Sequence, residues 1–488
     1  MPISAPIKLQ SGGEVNPDYL AHIEAFFADA DDRQSFVHAC GRPLRKSIRV
    51  NTLKISVEQF LTVAEQNGWR LSAIPWCPTG FWIEADDADE SLGNAPAHLQ
   101  GLFYIQEASS MLPPQALLAG QEIQQPLIVD MAAAPGSKTT QLAALTHNRG
   151  VILANELSAS RLKSLHANLI RCGISNACLS HLDAAQIGEL MPGQFDYVLL
   201  DAPCGGEGTV RKDPQALKNW SLESVKELAI LQKKLIRSAY AALKPGGRLV
   251  YSTCTLSPEE NHQVADYLCE HSDAKIEPLA ELFDGAQSAV TPEGYLHLMP
   301  QQFDSEGFFV ARFKKPQSSL VSARPVPVFD TPFVTMTRAE CEKIVDYYKR
   351  HFGIEIAAKG FELRRRDKAV WLFPQDLNRI NRYLKVNRAG IKLGEVYPNK
   401  IRSSHEFASC FGDDAGKQVI ALNEDQTSQF IRGQNIEVEP RGIVKGEVLL
   451  TFGGHIIGIG QHQSGRIKNG LPRDLVKDNF VINNNPAR

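Results

Sequence analysis

From Leu127 to Cys254 the chain alternates short apolar runs with longer amphipathic ones, and nothing else in it restricts the fold as strongly. Leu127 to Met131 reads as a strand, Ser137 to Thr146 as a helix, Val151 to Asn155 as a strand. Ala159 to Arg171 reads as a helix, with Leu162, Leu165 and Leu169 on one face. A weaker strand precedes Asp183, two more end at Asp201 and Cys254, and Leu222 to Leu243 between those two is helical. Parallel strands need long crossovers, so this rhythm predicts a parallel sheet wound with helices on both faces. Open sheets of this kind bind ligands beyond the carboxyl ends of their strands. The residues that follow each strand are therefore the candidates for chemistry.

Two of those strand ends carry a thiol. The run FDYVLLDAPCGG (195–206) is an apolar strand that passes through Asp201, Ala202 and Pro203 to Cys204 and a glycine turn. The run KPGGRLVYSTCT (244–255) is a Pro-Gly-Gly turn, a strand from Arg248, and Cys254 at its far end. Two cysteines on two strand ends of one parallel sheet would face a common crevice. The plain alternative is a strand that stops at Pro203, with the thiols serving as small buried hydrophobes.

The first strand–turn–helix unit is PLIVDMAAAPGSKTT (126–140). Ala132, Ala133, Ala134, Pro135 and Gly136 let a ligand approach the backbone, and the helix beginning at Ser137 and Lys138 offers unpaired N–H groups. GxGxxG is absent, which argues against a dinucleotide, and GSKT lacks the glycines of a P-loop. What remains is a series of acids at successive strand ends: Asp130, Glu156, Asp183 and Asp201. An acid in the position of Glu156 hydrogen-bonds ribose hydroxyls in nucleoside-binding folds, and Asp183 could reach an adenine amino group. A ligand with a ribose, a purine and no phosphate suits this set, and S-adenosylmethionine is one.

The rest of the chain organises around this core. At 488 residues it is long enough for two or three domains. Asn16-Pro17 is a helix start, and Ser56-x-x-Gln59 forms a capping box. Between them SIRVNTLK is β-like, and the resulting small α/β unit is expected to end near Ala95. After Cys254, SPEENHQVADYLCEH reads as a helix capped by Ser257, and YLHLMP and EGFFVARF as a late strand pair with at least one antiparallel member. Pro316 to Pro332 is a proline- and serine-rich linker, followed by a helical segment, a basic stretch, and from Ile391 a β-rich run that suggests a small barrel.

Net charge is −3, so no global basic signal advertises nucleic acid. Two local patches do: Arg42 to Lys54 carries five cations and no acid, and Phe361 to Arg402 carries eleven cations against four acids. Nine cysteines without a CxxC pair argue against a zinc ribbon and for reduced thiols in a cytoplasm, with no metal site. No apolar run reaches membrane-spanning length, and MPISAPIKLQ lacks the apolar core of a signal peptide.

Together DMAAAPGSKT, NE at 155–156, DAPCGGEG and YSTCTLSPEEN resemble the RNA cytosine-5 methyltransferases of the bacterial ribosomal and eukaryotic NOL1/NOP2/Sun type. RVNTLK (49–54) and YIQEASSM (104–111) resemble that family's upstream motifs, and the resemblance spans Arg42 to Phe313. GIKLGEVYP and GRIKNGLPRDL resemble the β-rich PUA-type appendage of a bacterial member that modifies a 16S ribosomal RNA cytosine near the decoding site. The implied fold is a Rossmann-like, S-adenosylmethionine-dependent methyltransferase core with a small N-terminal α/β domain and a C-terminal PUA-like module. The expected divisions are an RNA-binding domain over 1–95, the catalytic domain over 96–315, a linker and helical basic segment over 316–390, and the PUA-like RNA-binding domain over 391–488.

Cytosine C5 is too weak a nucleophile to take a methyl from a sulfonium unless a thiolate first adds at C6. Spacing leaves open which cysteine attacks. The family resemblance implies Cys254, with Cys204 promoting product release, Asp201 holding a proton for ring N3, and Lys138 pairing with Asp201 or with the cofactor's carboxylate. The cofactor would sit on Ala132 to Lys138, Glu156, Asp183 and Asp201. The implied partner is ribosomal RNA within the small subunit, bound by a cytoplasmic monomer without a membrane, and the basic patches would hold its backbone. A 5-methylcytosine enzyme for another RNA, such as tRNA, is the nearest alternative. A non-catalytic RNA-binding or ribosome-assembly factor would leave the two thiols unexplained.

Overall fold

The computed structural model describes all residues except 1–6, 9–13, 86–91, 219, 322–328, 357–359, 387, 399, 440–441 and 483–488. Most of MPISAPIKLQ and the middle of the 316–332 linker therefore lie outside the described residues.

The expected core is a parallel sheet of β1 (Leu127–Asp130), β2 (Val151–Asn155), β3 (Ala177–Ser180), β4 (Phe195–Asp201) and β5 (Leu243–Thr253). In space the order is β3-β2-β1-β4-β5, then β6 (Phe308–Lys314), which runs antiparallel to β5 and pairs with Leu296–Leu298. The crossovers are α1 (Ser137–Leu145), α2 (Ala159–Arg171), α3 (Ala184–Leu190) and α4 (Leu222–Ala242). Strand residues alternate between two apolar layers, as the period of two demands. Leu127, Val129, Val198, Leu200, Leu249 and Tyr251 join one layer, whereas Ile128, Leu199 and Val250 join the other. Both faces are covered, which is why these strands read as continuous apolar runs.

The N-terminal unit is a four-stranded antiparallel sheet in the order Trp69–Ile74, Cys77–Ala85, Ser47–Val50, Phe103–Ile105. Its last strand lies beyond Ala95, because Gly93 and Pro96 belong to two short helical turns, Leu92–Asn94 and Pro96–Leu99, after which the chain returns to the sheet. Asn16 and the Ser56–Gln59 box cap their helices as expected.

The helix after Cys254, α5 (His262–Glu270), starts later than expected, and Ser257 does not cap it. The Ser257 hydroxyl donates instead to Glu207 Oε1 at 3.1 Å. Asn261 occupies the cap position while its side chain stitches together the end of β5, accepting from Thr253 Oγ1 at 2.5 Å and donating to the Thr255 carbonyl at 2.9 Å.

The expected boundary at 390 falls within a sheet. Val334–Thr335, Phe361–Arg366, Ala369–Pro374, Ile391–Tyr397 and Lys400–Ser403 form one antiparallel sheet, so a cut before Ile391 would split it. Just ahead of Ile391, Arg388–Ala389 pairs antiparallel with β3 and becomes the edge of the catalytic sheet. Trp371, Phe373, Leu377, Ile380, Leu384 and Val386 are buried in the same apolar layer as β1 and β4. The C-terminal module is a second five-stranded sheet built on the hairpin Gly446–Phe452 and His455–Gln463. It leans on the N-terminal unit: Gln100 Nε2 donates to the Phe452 and His455 carbonyls at 2.8 and 2.9 Å, and Lys477 Nζ donates to the Gly93 carbonyl at 2.8 Å.

No helix among the described residues is long and apolar enough to cross a membrane.

Candidate active site

Strand order reverses between β1 and β4, and the crevice at their carboxyl ends collects the expected residues. Asp201 ends β4 beside Ser252 of β5, whose hydroxyl donates to Asp201 Oδ1 at 2.7 Å. Lys138, in the first turn of α1, reaches across to Asp201 Oδ2 at 2.6 Å and donates to Ser110 Oγ at 2.9 Å. Burial opposes the Lys138 ammonium. The Asp201 charge and hydrogen bond, with Asp130 and Cys254 beyond, outweigh it and hold the group above its usual pKa. Of the two partners left open for Lys138, the structure shows Asp201.

The thiols meet as the strand ends require. Cys204 Sγ lies 3.3 Å from Cys254 Sγ, and both are half-buried and reduced. The hydrogen bond to Cys254, then burial, then the Cys254 and Glu260 charges push the Cys204 thiol well above its ordinary range. The Cys254 carbonyl accepts the Gly208 N–H at 2.9 Å, and Gly307 N–H bonds the Gly208 carbonyl at 3.0 Å. That approach admits only glycine at 208, because a Cβ there would lie 2.2 Å from the Gly307 oxygen. Behind Cys204, Glu260 Oε2 accepts Gly205 N–H at 3.1 Å and Gln232 Nε2 at 2.6 Å. Burial and then the Glu207 charge raise the Glu260 carboxyl to about 7.

The cofactor half of the crevice follows β1, β2 and β3. Asp130 is buried and accepts the Thr139 hydroxyl at 2.6 Å; burial pushes its carboxyl up to about 6. Gly136 has φ +108°, and a Cβ there would come 3.0 Å from Leu165 Cδ1, so the turn from Ala132 to Ser137 lies tight against α2. Ala133 N–H bonds the Asn155 carbonyl at 2.8 Å, and Arg161 Nη2 donates to the Ala134 carbonyl at 2.6 Å. Pro135 is exposed at the rim. Glu156 is 4% exposed; Oε1 accepts Ser158 N–H at 2.9 Å, while buried Oε2 makes no hydrogen bond and lies 3.5 Å from Arg161 Nη1. A buried acceptor without a hydrogen bond is what a ribose hydroxyl would complete, so the site fits S-adenosylmethionine. Asp183 behaves differently: it is exposed, and its Oδ1 caps α3 by accepting Ala185 N–H at 2.9 Å. No cluster of metal-binding side chains occurs among the described residues.

The first basic patch is split, with Arg49 internal, Arg45 and Lys54 half-buried, and Arg42 and Lys46 exposed. Arg49 is 1% exposed and donates to Gln106 Oε1 at 2.9 Å and Thr140 Oγ1 at 2.8 Å, tying the N-terminal sheet to α1. Arg42 and Arg45 lie 3.5 and 3.9 Å from Asp304. In the second patch Arg364, Arg365, Arg388 and Lys392 pair with Glu362, Glu340, Glu406 and Glu395. Arg379, Arg382 and Lys385 remain exposed on one segment. Ser110, Ser252 and Glu260 lie within stretches that carry the family resemblance, but no contact for them or for Gln232 can be read before the strands are assembled.

Comparison with known proteins agrees with this geometry. Four family models match in succession: the N-terminal domain of 16S rRNA methyltransferase RsmF at 15–108, 16S rRNA methyltransferase RsmB/F at 115–314, the ribosomal RNA small subunit methyltransferase F pre-PUA domain at 333–410, and the methyltransferase RsmF PUA domain at 417–477. The chain is 48% identical over 468 residues to ribosomal RNA small subunit methyltransferase F of Vibrio atlanticus, covering 94% of this chain and 97% of that one. It is 47% identical over 471 residues to the protein of that name from Aeromonas salmonicida, covering 96% and 98%. A solved methyltransferase homolog from Pyrococcus horikoshii superposes with a TM-score of 0.50 at 34% identity, over 62% of this chain and all of that one. NSun6 from the same organism shares the fold, with a TM-score of 0.54 at 24% identity over 61% and 98% of the two chains. With every module matched in order and relatives nearly half identical along their length, the chain belongs to the ribosomal RNA small subunit methyltransferase F family.

Proposed function

We propose that this chain is an S-adenosylmethionine-dependent methyltransferase that makes 5-methylcytosine in the decoding region of 16S ribosomal RNA through a covalent bond from Cys254 to C6. The observation that carries this reading is the pair of sulfurs 3.3 Å apart beside the Lys138–Asp201 ion pair. Its substrate is RNA of the small ribosomal subunit in the cytoplasm, and it acts as a monomer.

Ala132 to Lys138, Glu156, Asp183 and Asp201 hold the cofactor, which when bound supplies an electrophilic methyl group. The remaining chemistry belongs to side chains. As the Cys254 thiolate bonds to C6, the C5–C6 π pair localises on C5, and ring N3 takes a proton from the Lys138 ammonium by way of Asp201. After C5 is methylated, its proton must leave and the C6–sulfur bond must break. Cys204 donates its S–H proton to the departing Cys254 sulfur and, as a thiolate, takes the C5 proton. N3 returns its proton through Asp201 to Lys138, so charge balances and both Lys138 and Cys204 are regenerated. Base edges are buried in a duplex, so the target cytosine has to be unpaired or flipped out.

The test is transfer of labelled methyl to small-subunit RNA, with bisulfite mapping of the product. Label at a decoding-region cytosine supports the reading. Label confined to tRNA, to another base, or nowhere refutes it.

A further inference from the structure

The crevice holds a second carboxyl pair that methyl transfer leaves unused. Glu107 follows the Phe103–Ile105 strand, Glu306 lies just before β6, and Glu306 N–H points at Glu107 Oε1 at 3.4 Å. Glu107 Oε2 accepts the Ser109 hydroxyl and, at 3.1 Å, the Ser110 N–H. The Ser110 hydroxyl is the one that accepts Lys138 Nζ at 2.9 Å. A continuous line therefore runs from Glu306 through Glu107, Ser110 and Lys138 to Asp201. Glu306 is 5% exposed, and its Oε1 is buried with no hydrogen-bond partner. Burial and then the Glu107 charge push its carboxyl up to about 8, against Lys212, Arg211 and Lys138.

Ser109 and Ser110 hold Oε2 and fix the plane of the carboxyl, and Oε1, which takes only the long Glu306 N–H contact at 3.4 Å, keeps a second lone pair as an acceptor. An acceptor with a spare lone pair, on half-buried Glu107 beside a buried Glu306 oxygen that has no hydrogen-bond partner, is completed by a ligand that brings an N–H group. Cytosine presents an exocyclic amino group at C4, where uracil presents a carbonyl oxygen. Resting on the cytosine reading above, we propose that Glu107, backed by Glu306, recognises the amino group of the target base and rejects uracil by setting oxygen against oxygen. These are specificity-determining residues, distinct from the thiols that make and break bonds.

The substitution Glu107→Gln tests this directly. Ser109 and Ser110 will keep an oxygen at the old Oε2 position, so the amide nitrogen must take the place of Oε1 and turn an acceptor into a donor. With matched RNAs carrying cytosine or uracil at the target position, the variant should lose about ten- to hundredfold in the rate on cytosine and gain transfer to uracil. The cytosine-to-uracil ratio, which a merely structural role would not move, should fall at least as far. Calorimetric affinity for S-adenosylmethionine and the thermal midpoint report whether the variant is folded. If it is not, Glu306→Gln, read by the same ratio, decides the matter. A folded variant that keeps the wild-type ratio overturns the assignment while leaving the proposed function intact. Wild-type protein that places no methyl on cytosine C5 overturns both.

Discussion

Replacing Cys204 with alanine should leave methyl transfer possible and block its completion. The two sulfurs lie 3.3 Å apart, so a base bonded at C6 to Cys254 brings C5 within reach of Cys204. General acid–base assistance of the kind Cys204 supplies contributes about 10²–10⁴ in rate, equal to about 3–5 kcal/mol of barrier. Elimination becomes the slow step by that factor, and protein should accumulate with RNA attached. On a denaturing gel, Cys204→Ala incubated with small-subunit RNA and S-adenosylmethionine should give a slowly migrating band. Cys254→Ala should give neither band nor product, and the double variant should match it. An adduct in Cys254→Ala instead would make Cys204 the nucleophile. Full activity in both single variants would make the thiols structural.

Four further outcomes follow from the same geometry. Glu156→Ala should weaken S-adenosylmethionine by about 1.5–3 kcal/mol, roughly ten- to 150-fold by calorimetry, because it removes the buried carboxylate oxygen that has no hydrogen bond within the protein. Changing Arg379, Arg382 and Lys385 together to alanine should reduce the salt dependence of RNA binding by about two to three counterions, seen as a shallower slope of log Kd against log salt. The Glu260 carboxyl titrates near 4.5 when unfolded and near 7 when folded, so the native state binds more protons in that window. Stability should therefore fall as pH rises from about 5 to 7, by on the order of 3 kcal/mol from this group, and Glu260→Gln should flatten that part of the thermal-midpoint profile. Gly208→Ala forces a methyl against the Gly307 and Cys254 carbonyls, and should lower the thermal midpoint and abolish transfer.

The sheet was legible because buried parallel strands and amphipathic crossovers leave strong local patterns; Val151–Asn155 and Ala159–Arg171 agree with the sequence reading to the residue. The strand-end residues were legible for the same reason, since the topology delivers Lys138, Asp201, Cys204 and Cys254 to one crevice. What was hidden depended on packing at a distance. Arg49 reads as a surface cation, yet it serves as a buried strut between two sheets because Gln106 and Thr140 satisfy its donors. Asp183 follows a strand like the other acids, and its Oδ1 also caps the next helix by accepting the Ala185 N–H, a second use that spacing alone does not reveal. Ser257 has the sequence context of a cap and is drawn off by Glu207. A break at Ala95 or 390 could not reveal that the next strand returns to a sheet already begun.

The Arg388–Ala389 pairing sets a schedule for biosynthesis. Its partner β3 ends at Ser180, ~200 residues earlier in the chain. At about 5–20 residues per second, a ribosome needs roughly 10–40 s to travel from one to the other. Throughout that interval β3 is an open edge, and Trp371, Phe373 and their neighbours have yet to cover the apolar layer beneath it. The nascent methyltransferase sheet is thus a waiting intermediate, dependent on shielding until the segment that closes it leaves the exit tunnel.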